Sequence, residues 1–228
     1  MSRRDNLDRC AHCRMHATLC ICDLVPSLAT RTRLALLVHH REVTKPTNTG
    51  QLAARCLERS VVTVIGERDH VAVCPPVEPH EQAVLLYPAD DAVPISRYAA
   101  GDRPVVLFVP DGSWRQAYKM RRRVPGLAAV PCVVLPEQQL TSYRLRHETH
   151  EAGLATLEAI AGALRILEGD AGPAIASALL AVFRVMVDRT LWLRGQLGDD
   201  EVTGGLPAAA REQNPRGAPA RGPSPTPA

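Results

Sequence analysis

Residues 105–120 read VVLFVPDGSWRQAYKM, and this stretch decides the fold class. Val105, Val106, Leu107, Phe108 and Val109 run without polar alternation, the pattern of a strand buried on both faces. The run ends in Pro110, Asp111, Gly112 and Ser113. From Ser113 to Arg123 the pattern is helical. A buried strand that turns at once into a helix is the repeating unit of a parallel α/β sheet.

The same unit recurs along the chain. RLALLVHH (33–40) reads as a strand, and NTGQLAARCLERS (48–60) as a helix capped by Asn48 or Thr49. VVTVIG (61–66), AVLLYP (83–88), PVVLFVP (104–110) and PCVVLP (131–136) are further strands. Two helical stripes follow, one through Leu154, Leu157, Ala161, Leu164 and Leu167, the other through Ile175, Leu179, Val182 and Met186. Both read as core helices. The fold class expected is α/β, with a mostly parallel sheet flanked by helices. Ligands in such folds bind where loops leave the carboxyl ends of strands, and His39, Tyr87 and Asp111 all stand at expected strand ends.

The 228 residues suit one substantial domain with appendages, and 46% apolar content supports a real core. With 4% aromatics, aliphatic side chains must fill most of it. The net charge of +3 does not by itself imply nucleic acid. The N-terminal MSRRDNLDRC lacks the apolar stretch of a secretory signal. Ile175–Leu193 is interrupted by Arg184, Asp188 and Arg189 and reads as a helix of a soluble protein, not a membrane span. A cytoplasmic protein with no membrane partner is therefore expected. The oligomeric state, monomer or homodimer, stays open.

Seven cysteines in a reducing compartment read as metal ligands or core residues, not disulfides. Cys10-x-x-Cys13 and Cys20-x-Cys22 offer four thiolates from two tight turns, the donor set of a structural zinc site. His12 and His16 are spare donors. Cys56, Cys74 and Cys132 are isolated and read as core. Three regions follow: a zinc-binding head at 1–30, a catalytic domain at 31–196, and a Pro-, Ala- and Arg-rich tail at 197–228 expected to be disordered.

No glycine-rich dinucleotide fingerprint follows a strand, and no P-loop is present. The polar stretch HHREVTKPTNTG (39–50) leaves one strand and enters a helix. Its free backbone N–H groups could hold an anion, or Asn48 and Thr49 could simply cap the helix. His39 with Glu42 is a weak metal pair. Asp111 reads either as a helix cap or as a general base in a pocket. Trp114 reads as core or as a wall on which a base stacks. The cations Arg115, Lys119, Arg121, Arg122 and Arg123 form a solvated face or a track for phosphates.

Taken in order, C-x-x-C…C-x-C, H-x-x-E with T-N-T-G, L-Y-P, D-x-S-W-x-x-A-x-x-M, Y-R-L-R and L-x-T-L-E-A resemble the DTW-domain family of tRNA-uridine aminocarboxypropyltransferases. The resemblance runs from about Cys10 to Met186. It implies a fold related to the SPOUT RNA-modifying enzymes, whose cofactor loops can be knotted. It implies transfer of the 3-amino-3-carboxypropyl group of S-adenosylmethionine to N3 of a tRNA uridine, giving acp3U and 5′-methylthioadenosine. Asp111, Ser113 and Trp114 then stand at the name-giving motif, with Ser113 in place of the usual threonine. His39, Glu42, Thr47, Asn48, Thr49 and Gly50 stand at the early motif. Tyr143, Arg144 and Arg146, then Thr156 and Glu158, stand at the late ones. These early and late residues are expected around the cofactor, and Arg115, Lys119 and Arg121–Arg123 on the RNA. Two other readings are a SPOUT-type methyltransferase using the same cofactor and a non-catalytic zinc-containing RNA-binding protein.

Overall fold

The computed structural model describes residues 9–67, 73–99, 101–136 and 154–213. Six strands form one sheet: β1 (Arg33–His39), β2 (Ser60–Ile65), β3 (Gln82–Leu86), β4 (Val93–Pro94), β5 (Val105–Asp111) and β6 (Cys132–Val134). Their order across the sheet is β2-β1-β5-β3-β6-β4, and every pairing is parallel. The expected strands are present within a residue or two at each end. The short edge strand β4 was not foreseen, because Val93–Pro94 carries no apolar run.

Side chains alternate across a strand, and here both faces are dry. Leu34, Leu36 and Val38 of β1, with Val105, Leu107 and Val109 of β5, face one core. Ala35 and Leu37, with Val106 and Phe108, face the other. The first core is covered by α1 (Thr49–Cys56), α3 (Thr156–Leu167) and α4 (Gly172–Leu193). The second is covered by α2 (Trp114–Arg123), through Met120 and then Val124. This burial on both faces is the physical reason the strands read as unbroken apolar runs.

α1 is shorter than the sequence pattern implied. It ends at Cys56 because the next residues pair elsewhere: Leu28 N–H donates to Cys56 O at 2.8 Å, and Glu58 N–H donates to Leu28 O at 3.1 Å. Arg59, expected in the helix, instead reaches Glu81. The segment Gly169–Leu193 has the length and composition of a membrane span, yet in this fold Ile175, Leu179, Phe183 and Met186 pack into the first core.

The chain end departs from expectation. Disorder was expected from residue 197, but residues 197–213 are folded against the body, ending in α5 (Ala208–Gln213). Val202, Leu206 and Ala210 recur every four residues and are buried in the first core. Trp192 Nε1 donates to Asp199 at 2.7 Å, and Asp188 accepts from Thr203 N–H at 3.2 Å and from its hydroxyl at 2.5 Å. Residues 214–228 lie outside the described residues. So does the connection from β6 to α3, at 137–153.

At the opposite, amino end of the sheet, Glu81 is buried between Arg33 (2.5 Å) and Arg59 (3.4 Å). The hydrogen-bonded Arg33 guanidinium draws the Glu81 carboxyl down to about 2. A carboxyl depressed on folding stabilises the fold above its unfolded pKa, and that contribution is lost as pH falls through the folded one. Thermal melts should therefore show Tm falling between about pH 5 and pH 2. Glu81→Gln should lower Tm at neutral pH, by roughly 2–4 °C for each kcal/mol lost in a chain of this size, and should flatten that acid slope.

Candidate active site at the carboxyl end of the sheet

The chain leaves β1 for α1 on one face of the sheet and leaves β5 for α2 on the other. The connections diverge between two neighbouring strands, which opens a crevice at their carboxyl ends. Pro110 widens it: the β3–β5 pairing ends at Leu85–Phe108, and Pro110 has no N–H with which to extend a ladder. The crevice is a cavity of about 1300 Å³. One wall is polar, from His39, Arg41, Glu42, Asn48, Asp111 and Thr156; the other is apolar, from Leu86, Tyr87, Val133, Leu135, Pro136 and Leu154.

Asp111 ends β5 and is 5% exposed. Its Oδ2 accepts from Asn48 Nδ2 at 2.5 Å, and its Oδ1 accepts from Thr156 Oγ1 at 2.6 Å. Asn48 is the N-cap of α1, its Oδ1 accepting from Gln51 N–H at 2.7 Å. Thr156 opens α3. One carboxylate thus ties the central strand to the first turns of two helices, where negative charge is favoured. Gly50 makes this approach possible, since a Cβ there would lie 3.0 Å from the Asp111 Cγ. The sequence reading of Asp111 as the cap of α2 is corrected: that helix is closed by Gln116, whose Oε1 accepts from Ser113 N–H at 2.7 Å.

The sequence offered the N–H groups at the start of α1 to an external anion; Asp111 stands beside that start, held by the Asn48 side chain, whose Oδ1 takes the Gln51 N–H. The cations on the cavity wall are Arg41, Lys45, Arg115 and Lys119, with Lys45 held by Glu42 at 2.5 Å.

His39 lines the cavity with Nδ1 accepting from Arg41 N–H at 3.2 Å, which leaves the proton of the neutral ring on Nε2. Burial, then the neighbouring His40 and Arg41, pushes its pKa below the usual histidine value. Ser113 and Trp114 stand at the rim, with Trp114 46% exposed. Trp114 meets Tyr87 edge-on, with ring centroids 6.5 Å apart.

Other expected residues are placed as follows. Thr49 lines the cavity and its hydroxyl accepts from Leu157 N–H at 3.4 Å. Thr47 and Gly50 are not on the wall. Glu158 is buried and turned back onto the start of α3, accepting from Ala155 N–H at 2.9 Å. Tyr143, Arg144 and Arg146 lie outside the described residues. Arg115, Lys119, Arg122 and Arg123 are exposed on α2. Arg121 is not: it lies over the Tyr87 ring at 5.7 Å and bonds Asp91 at 3.2 Å. Sequence reasoning did not assign Lys45, Gln116 or Leu135. Gln116 was detectable from its S-x-x-Q spacing.

In the head, the sulfurs of Cys10, Cys13, Cys20 and Cys22 lie within 4.8 Å of one another. Cys10 is 3.6 Å from Cys22, and Cys13 is 3.7 Å from Cys20, close to the roughly 3.8 Å between sulfurs around a tetrahedral ion at about 2.3 Å. The set can hold a metal ion. His12 is exposed, and His16 caps the next turn, bonding Thr18 Oγ1 at 2.8 Å, so neither is needed. Arg14 takes a left-handed φ of 61° to close the first knuckle. The surroundings fit thiolates. Arg55 Nη2 donates to Cys22 Sγ at 3.4 Å, and the buried Arg189 donates to Cys20 O at 2.6 Å without pairing to any carboxylate among the described residues. Met15, Leu19 and Ile21 belong to the first core, so the head is packed into the domain.

Two measurements test this geometry. Thr156→Val removes a hydrogen bond to a buried carboxylate and should cost about 1.5–3 kcal/mol in urea denaturation. Elemental analysis should find one metal ion per chain. Because α5 packs on the turn Ala17–Leu19, a strong chelator should raise hydrogen exchange in residues 10–22 and 199–213 together.

Comparison with known proteins agrees with the family resemblance. The protein named tRNA-uridine aminocarboxypropyltransferase 2 of Drosophila melanogaster is 27% identical over 169 residues, 71% of this chain and 67% of the fly protein. The proteins of that name from Macaca fascicularis and Mus musculus are each 28% identical over 70% of this chain. The chain spans 56% of the length of those two. No solved structure matches it. Residues 7–191 match the DTW domain, and the chain belongs to the DTW-domain family.

Proposed function

We propose that this protein is a tRNA-uridine aminocarboxypropyltransferase, moving the 3-amino-3-carboxypropyl group of S-adenosylmethionine to N3 of a tRNA uridine. The observation that carries the reading is the carboxyl-end cavity itself. It brings the motif residues Asp111, Ser113 and Trp114 together with Asn48 and Thr156, in a chain whose relatives are named tRNA-uridine aminocarboxypropyltransferase 2. The SPOUT relation is part of the same proposal, supported by the parallel sheet and by a crevice at its carboxyl edge.

The step is a displacement at carbon. The N3–C bond forms while the C–S bond breaks, and the sulfonium sulfur keeps the electron pair as the neutral thioether of 5′-methylthioadenosine. As N3 attacks, its proton becomes strongly acidic, and Asp111 accepts it. The bonds from Asn48 and Thr156 fix the carboxylate in direction, so that it can take the proton as attack proceeds. Positioning decides whether the methylene or the methyl of the cofactor faces N3. The apolar wall at Leu86, Tyr87, Val133 and Leu135 suits the adenosine. The rim cations Arg41, Arg115 and Lys119 suit the amino-acid carboxylate and the tRNA phosphates. Trp114 stands where the unstacked uracil enters. The four thiolates would hold one structural Zn²⁺, a closed site with no open position for substrate.

Nucleoside mass spectrometry of unmodified tRNA incubated with the protein and S-adenosylmethionine should show uridine carrying the aminocarboxypropyl group. A methylated nucleoside would instead assign methyl transfer, and no modification across a full tRNA set would sink the reading. Asp111→Asn can still accept from the Asn48 amide and can donate to the Thr156 hydroxyl, but it replaces two charge-assisted bonds with neutral ones, so it should abolish turnover with a modest loss of stability. Thr156→Val separates the two effects: it weakens the same clamp, yet keeps the carboxylate and should retain measurable turnover.

A further inference from the structure

α2 carries more than the motif requires. Its buried side chains are Ala117 and Met120 alone. Trp114 and Tyr118 are 46% and 48% exposed, the two aromatic rings among the exposed large apolar side chains of the described residues. Four positions apart, they share one helix face about 6 Å apart along the axis. Core packing does not account for Tyr118, and it is held in place: Arg122 Nη1 donates to its hydroxyl at 2.8 Å, with the guanidinium 5.5 Å from the ring centroid. Arg122 stands against the Tyr118 ring, Arg115, Lys119 and Arg123 are exposed on the same helix, and Trp114–Arg123 contains no acid. Among the described residues, none of these four cations forms an ion pair.

We propose that Tyr118, backed by Arg122, is a second stacking place that receives the base of a nucleotide next to the target uridine. The inference rests on the function proposed above and extends it to the substrate's shape. Trp114 and Arg115 lie on the cavity wall, and Tyr118 continues the same face one turn beyond. Stacked neighbours in a nucleic-acid strand are roughly 3.4 Å apart, so two rings about 6 Å apart along the helix hold two bases opened from each other. The substrate class is then a single-stranded loop of at least two nucleotides, with its phosphates on the exposed cations of α2. Stacking on rings tolerates any base, so this face selects an open strand and leaves the choice of uridine to the cavity.

Tryptophan fluorescence reads the site directly, because the chain's other tryptophan, Trp192, is 3% exposed. The metal-loaded protein is titrated with uridine monophosphate and with the trinucleotide UpUpU. Both should quench Trp114. Tyr118→Ala should weaken UpUpU about tenfold and leave the mononucleotide unchanged, while Tyr118→Phe should restore the trinucleotide. In turnover, Tyr118→Ala should raise KM for tRNA with S-adenosylmethionine affinity unaltered. Unchanged UpUpU affinity in Tyr118→Ala overturns the proposal. So does an equal loss of affinity for heparin, a polyanion without bases, which would assign the face to charge alone. If UpUpU fails to quench Trp114 while tRNA is still modified, the stacking place falls and the enzyme reading stands. If the quenching pattern holds and no tRNA is modified, the enzyme reading falls and the strand-binding face stands.

Discussion

The Asp111 carboxylate is the tie on which the rest of the site depends. It closes β5 and accepts from Asn48 at the head of α1 and from Thr156 at the head of α3. These three elements come from distant parts of the chain. A buried charge is costly unless its hydrogen bonds are made. Here they are made by two neutral side chains that each begin a helix, and helix starts favour negative charge. A side chain at Gly50 would press on Asp111 and Leu36, its Cβ lying 3.0 and 3.1 Å from them. The clamp therefore fixes how closely α1 approaches the strand end, and with it the shape of the polar wall.

The sheet makes that clamp rigid. β1 and β5 are neighbouring interior strands, with apolar side chains packed on both faces. Because α1 and α2 leave toward opposite faces, the crevice between those two strand ends is a product of topology. α2 then serves two purposes. Its inner side covers the second core through Met120, and its outer side carries rings and cations beside the cavity mouth. Arg121 belongs to neither outer role, since Tyr87 and Asp91 hold it.

The cysteine head and the chain end form one further unit. Leu19 and Ile21 enter the first core, α5 rests on the turn Ala17–Leu19, and Arg189 of α4 bonds the Cys20 carbonyl. Any ion at the four sulfurs stabilises the residues that α4 and α5 pack against. The tail looked disordered from its alanines, prolines and glycines. Its order up to Gln213 comes from three apolar residues four apart, a spacing too sparse to stand out from composition.

By itself the sequence determined the α/β class, the strands and main helices, the four-cysteine donor set, and the family motifs. These rest on local signals: unbroken apolar runs where both faces are buried, helical stripes, thiol spacing, and residue order. Only the tertiary structure decided what the motif residues do to one another. Asp111 could be a cap or a base on paper; its partners lie 63 residues before and 45 after it, and no local pattern carries such a pairing. Glu158 was read as a ligand, and the fold shows its carboxylate accepting from Ala155 N–H at the start of its own helix, a bond the motif alone did not reveal. Arg121 was counted with its neighbours and turned inward, because helical rotation placed it over Tyr87. Tyr118 was passed over, because exposure on a shared face beside Trp114 depends on which side of α2 meets the sheet, and packing alone fixes that.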